Sequence, residues 1–218
     1  EHVGQVTIGV LAAGGFQPLH IIQGLESEVH LGERVFGLQD VNGAEIVGLT
    51  RRFVERRDRG FYLVPSRLPA DPRLLFPAQD TGNSFGESAT AGRFAEDGTY
   101  VFAIGAFRAS LDQDLDEPGV VFLLDAAGMV HGALSRGVED AQQGYSVATL
   151  PRPGATDFLI TGSRRDGVQI FIPEDDAFVS VEYPEPNRVP GEFGRALSIS
   201  QALPDGTYRL FVGEPTSF

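Results

Sequence analysis

Residues 85–105 read FGESATAGRFAEDGTYVFAIG, and residues 193–213 read FGRALSISQALPDGTYRLFVG. Laid over one another without a gap, the two stretches agree at seven positions. Phe-Gly opens each, Asp-Gly-Thr-Tyr sits in the middle, and a glycine closes each one, Gly105 and Gly213. Agreement at fixed spacing is the mark of an internal repeat. Two looser copies follow the same plan with a shortened central turn, LGERVFGLQDVNGAEIVGL from Leu31 and GYSVATLPRPGATDFLITG from Gly144. With Gly32, Gly86, Gly144 and Gly194 as equivalents, the period lies in the fifties. That is too long for most helical solenoids and suits a four-stranded propeller blade.

The second half of each unit repeats as well. GFYLVP at Gly60, GVVFLL at Gly119 and GVQIFI at Gly167 each place a β-rich run behind a glycine, and GQVTIGVL at Gly4 has the same form. Runs such as TYVFAIG and TYRLFVG carry the apolar and aromatic residues of mostly buried strands. No convincing amphipathic helix interrupts them. The unit from Phe193 holds only its first two strands, and GQVTIGVLAAGGFQPLHIIQG at the other end supplies a second half. The expected fold is all-β: one domain over 1–218, a small β-propeller of four four-stranded blades. Its units start near 31, 85, 144 and 193, and residues 1–24 complete the last, so one blade is closed by the N- and C-terminal strands. Closure removes exposed sheet edges. A segment of a larger propeller and an eight-bladed ring of two chains are the alternatives.

The pattern of Phe-Gly, small residues, an acidic Asp-Gly turn and an apolar strand ending in Gly-Ala or Gly-Glu-Pro resembles the FG-GAP repeat, which builds the propeller of integrin alpha subunits and related bacterial proteins. FGESATAGRFAEDGTYVFAIGA and FGRALSISQALPDGTYRLFVGEP carry the resemblance. It implies a propeller with ligand contacts on one face, and calcium in the turn between the first two strands of a unit. Calcium needs several converging oxygen ligands. In the Phe85 unit Arg93, Ala95 and Val101 stand at ligand positions, leaving Asp97 and Gly98. In the Phe193 unit Gln201, Leu203 and Arg209 do so, leaving Asp205 and Gly206. The Leu31 unit keeps Asp40 and Asn42, and the Gly144 unit keeps Gly154 and Asp157. No turn has the full set, so Asp-Gly reads as turn chemistry.

The formal net charge of −13 argues against nucleic acid and anionic lipid as partners, since both call for a positive surface. All 17 basic residues are arginines. The absence of cysteine removes disulfides, thiol catalysis and cysteine metal sites together. No apolar run approaches the length of a membrane span, so membrane insertion is not expected. The chain opens at Glu1 rather than Met, which raises export as an expectation, with an extracellular, periplasmic or cell-surface location.

Two loops stand out. TRRFVERRDRG concentrates Arg51, Arg52, Arg56 and Arg57 in an acidic protein, and arginine forks suit carboxylate, sulfate or phosphate groups. LDQDLDEPG sets Asp112, Asp114 and Asp116 at alternate positions, the way a short loop aims carboxylates at a cation. Its glycine comes late, at Gly119, and Leu123 stands where an EF-hand loop has its last glutamate. Both loops join the second and third strands of consecutive units, which places them side by side on one face. No nucleophile elbow, zinc-protease helix or phosphate-binding loop is present. The four histidines, His2, His20, His30 and His131, are scattered. The expected function is a non-catalytic recognition or adhesion module that binds protein or acidic carbohydrate through Arg51, Arg52, Arg56 and Arg57. Asp112, Asp114 and Asp116 are the candidate calcium ligands. A glycan-active enzyme with acidic residues at the propeller centre is the alternative, and a structural or oligomerisation domain is the third reading.

Overall fold

The computed structural model describes residues 4–23, 31–39, 45–52, 59–65, 73–75, 84–97, 101–112, 114–125, 127–165, 167–174, 177–183 and 193–213. Among these there is no helix, and hence none long and apolar enough to cross a membrane. Among the described residues sixteen strands form five antiparallel sheets. An N-terminal pair joins β1 (Gln5–Ala12) and β2 (Gly15–Gln23). The first full sheet is β3 (Val35–Gln39), β4 (Glu45–Arg52), β5 (Arg59–Pro65) and β6 (Arg73–Leu75). The second is β7 (Phe85–Ala91), β8 (Phe102–Ala106), β9 (Val120–Leu124) and β10 (Val130–Leu134). The third is β11 (Gln143–Leu150), β12 (Phe158–Ser163), β13 (Val168–Glu174) and β14 (Ala177–Tyr183). A C-terminal pair joins β15 (Ala196–Ile199) and β16 (Leu210–Gly213).

Each full sheet is a meander in chain order, so each repeat unit is one sheet. The sheets pack in sequence, with an apolar layer at each junction. Leu38, Phe61 and Leu63 of the first meet Phe85, Phe102, Ile104 and Phe122 of the second. Ala103, Val121 and Leu123 on the other face of the second sheet meet Val147, Leu159 and Phe171 of the third. Ile160 and Val168 face Phe193, Leu197, Leu210 and Val212. At the start of the series, Val6, Ile8 and Ile22 pack on Leu49 and Val64. First strands touch from sheet to sheet, β3 with β7, β7 with β11 and β11 with β15.

The repeat signature has a physical origin at these junctions. Gly32, Gly86, Gly144 and Gly194 all have positive φ, between 79° and 99°, where a side chain is strained. In the second and third sheets this glycine lies in a bulge of the first strand: the register skips from Phe85 to Ser88 and from Gln143 to Ser146. The bulge aims the glycine carbonyl back at the preceding sheet. Ser88 Oγ donates to the Gly144 carbonyl at 2.8 Å, and Ser146 Oγ donates to that of Gly194 at 2.6 Å, both buried. The closing glycines make room for this approach. A Cβ on Gly105 would lie 2.0 Å from the Gly144 oxygen, and one on Gly162 would lie 1.8 Å from the Gly194 oxygen. At the first junction an ion pair takes this place: Arg34 donates to Glu87 at 2.5 Å, with the Glu87 side chain 7% exposed.

The expected blade closed by the two ends is not formed. β1–β2 and β15–β16 are separate two-stranded sheets, with no hydrogen bonds joining them among the described residues. The N-terminal pair nevertheless occupies a definite place. A Cβ on Gly119, just before β9, would lie 2.2 Å from the nitrogen of Gln143, the residue before Gly144. A Cβ on Gly4, just before β1, would lie 2.3 Å from the nitrogen of Leu31, the residue before Gly32. β1 therefore stands to the first sheet as β9, a third strand, stands to the third.

Candidate functional site

Where the first strands end, a cleft of about 560 Å³ opens across three sheets. β3 contributes Gly37 and Leu38, β7 runs into it through Ala89–Ala91 and on to Arg93, and β11 gives Thr149 and the turn from Pro151 to Asp157. One carboxylate ties the two turns together. Asp157 accepts the Arg93 N–H on Oδ2 and the Arg152 N–H on Oδ1, each at 2.8 Å. Its own N–H donates to the Arg93 carbonyl at 2.7 Å, and the Arg93 guanidinium donates to the Ala155 carbonyl. Asp157 is one of the few calcium-type residues left in the repeat turns, and its oxygens are directed at backbone amides.

The cleft is basic in an acidic protein. Among the described lining residues Arg93 and Arg152 face one carboxylate, against a chain charge of −13. Arg152 stacks on Phe158, its Cζ 4.3 Å from the ring centroid, which holds the planar fork by its face. The floor carries two hydroxyls. Thr149 Oγ1 donates its only proton to the Ala91 carbonyl at 2.8 Å. Thr90, 2.7 Å from Thr149 Oγ1, must then be the donor of that contact, so its own oxygen still has lone pairs to offer. Guanidinium donors and a hydroxyl acceptor together give the described lining a mixed polar character.

The sites singled out in the sequence lie elsewhere. Arg51 and Arg52 end β4, opposite Gly60 and Arg59 in the ladder. Arg56 and Arg57 lie outside the described residues. Asp112, Asp114 and Asp116 are all exposed in the β8–β9 connection. Asp112 Oδ1 accepts the Asp114 N–H at 3.0 Å, and the Asp116 carbonyl accepts the Asp140 N–H at 2.8 Å. Among the described residues no group of three His, Asp or Glu converges to hold a metal ion. The two loops do join equivalent strands of consecutive sheets, β4 to β5 and β8 to β9. Residues 53–58, which include the tip of the arginine loop, lie outside the described residues.

Asp205 shows the turn chemistry directly. The Thr207 hydroxyl and then its N–H bind Oδ1 at 2.6 and 3.0 Å, holding this carboxyl below its ordinary range. The cleft residues were missed because the sequence presents Arg93 only as a lost calcium ligand. No protein-family model matches the chain, and no curated protein matches it.

Proposed function

We propose that this chain is a non-catalytic recognition module of propeller type, built from FG-GAP-like repeats, that binds an acidic carbohydrate in the cleft between β3, β7 and β11. The observation that carries the reading is the pairing of Arg93 and Arg152 with the Thr90 hydroxyl in a cleft of about 560 Å³. That volume is within the usual range for small-ligand sites and suits one or two sugar rings. Uronic or sulfated sugars combine an anion for the arginines with hydroxyls for Thr90. The sequential packing of four-stranded meanders through their first strands supports the radial arrangement. An extracellular or cell-surface location fits such a ligand.

Calorimetric titration with oligogalacturonates, with the neutral galactose oligomers in parallel, tests the proposal. Acidic oligomers are expected to bind and neutral ones are not. Arg152→Ala should weaken binding by about 10-fold or more, the effect of losing a charge-assisted hydrogen bond. Affinity should fall with added salt. Equal binding of neutral oligomers, or an undisturbed Arg152→Ala variant, would overturn it.

A further inference from the structure

The three junctions between consecutive sheets repeat one contact. The residue two places before the closing glycine, on the second strand, shares an apolar cluster with the residue three places after the opening glycine on the next unit's first strand. These pairs are Ile46 with Ala89, Ala103 with Val147, and Ile160 with Leu197. Ala103 and Ile160 are 0% and 1% exposed. The same positions occur once more, as Phe211 before Gly213 and Val35 after Gly32. Here they are 55% and 54% exposed.

Strand alternation fixes the directions. Leu210 and Val212 pack on the third sheet, so Phe211 between them points away from it, toward the place of a following sheet. Val35 holds the position of Val147, which faces the preceding sheet. The N-terminal pair already covers the outer part of that face through Val6, Ile8 and Ile22. What is missing over Val35 is a first and second strand, which the C-terminal pair is. What β16 lacks at its edge is a third and fourth strand, which the N-terminal pair is.

We propose that two copies of the chain join head to tail, β16 of each pairing with β1 of the other, so that Phe211 of one packs on Val35 of the other. This rests on the propeller-type reading, and it specifies how such a ring closes. Among the described residues the terminal pairs form separate sheets, and Val35 and Phe211 are both exposed. Two identical head-to-tail joints would cover Val35 and Phe211 in both copies. The result is eight sheets, six whole and two composite, at the upper end of the usual blade numbers. QVTIGVLA and LFVG carry no charge, so nothing repels across the new ladder. Each chain carries −13, so added salt should favour the pair.

The cysteine-free chain allows a clean test. The double variant Val35→Cys/Phe211→Cys is oxidised and run on a non-reducing gel, beside each single variant and a mixture of the two singles. The expected result is a species of twice the 23.5 kDa chain mass from the double variant and from the mixture. A disulfide formed within one chain would overturn the second copy while leaving the propeller reading intact, because the ring would then close on itself. Absence of either disulfide would overturn the pairing altogether. The unmodified chain is weighed by light scattering over a dilution series, which keeps the test independent of the substitutions. A dimer is expected, weakened at least about 10-fold by Phe211→Glu as for a buried aromatic anchor, and a monomer throughout would refute the proposal.

Discussion

Gly162→Ala isolates the close approach that explains the repeat signature. Gly162 has no positive φ, so alanine meets no backbone strain there, and the whole effect must come from space. Its Cβ would lie 1.8 Å from the Gly194 carbonyl oxygen and 2.3 Å from Ser146 Oγ. A carbon and a non-bonded oxygen need well over 3 Å, roughly the reach of a weak C–H···O contact. The third sheet and the C-terminal pair would have to part by more than an ångström. That disrupts the Ser146–Gly194 hydrogen bond and opens the cluster of Ile160, Val168 and Phe193. Overpacking costs about 1–3 kcal/mol, and a lost buried hydrogen bond adds about 1–2 kcal/mol. The expected loss is about 3–4 kcal/mol, or a fall in Tm of about 6–16 °C for a chain of this size. Gly14→Ala is the control, since nothing lies within 4 Å of its Cβ and its φ is not positive; it should be neutral or slightly stabilising. Urea unfolding followed by far-UV circular dichroism reads both variants. If Gly162→Ala loses no more stability than Gly14→Ala, the close-approach explanation of the closing glycine is wrong.

The same junction chemistry predicts that Ser88→Ala and Ser146→Ala each cost about 1–2 kcal/mol in urea unfolding, and that the two add because they serve different junctions. Asp157→Ala frees two turn amides at once and should lower affinity for acidic oligomers as well as stability, the latter by about 1–2 kcal/mol. For Asp125, burial pushes the carboxyl up. The Met129 N–H, the hydrogen bond and charge of His131 and the Ala127 N–H outweigh this and leave it below 3.8. A depressed folded value stabilises the protein above the unfolded value, and that contribution is lost as pH falls through the folded one. Asp125→Asn should therefore remove a contribution of at most about 1 kcal/mol at neutral pH, and the gap from the unmodified chain should close as pH falls below the ordinary aspartate range.

The units were legible because their signature is local and set by backbone geometry. A glycine with positive φ and a glycine under a neighbouring carbonyl tolerate no substitute, so Gly86, Gly105, Gly144 and Gly194 mark junctions between sheets even where the intervening turn has changed length. The Ser88 and Ser146 hydroxyls were invisible for the opposite reason. Serine at that position is one of several solutions, and Arg34 with Glu87 is another. The cleft was harder still. Arg93 and Arg152 lie in different units, and the bonds of Asp157 to both turns help to bring them to one place. Composition drew attention to the densest run of arginines, whereas the cleft arginines are fixed singly: Arg152 by the ring of Phe158 and Arg93 by the Ala155 carbonyl.

Closure was the expectation that sequence could least decide. Strand order is encoded unit by unit, and the complementarity of β15–β16 with β1–β2 is as real between chains as within one. What would decide between them is the rotation from one sheet to the next, and no single residue carries it. The local consequence is measurable even so. A series of junctions that buries Ala103 and Ile160 but leaves Phe211 and Val35 more than half exposed is open at both ends. An exposed aromatic at a position elsewhere buried, beside an unpaired strand edge, invites pairing with another chain. Specific head-to-tail pairing and indiscriminate edge aggregation differ in stoichiometry: the first stops at a closed ring, and the second has no reason to stop.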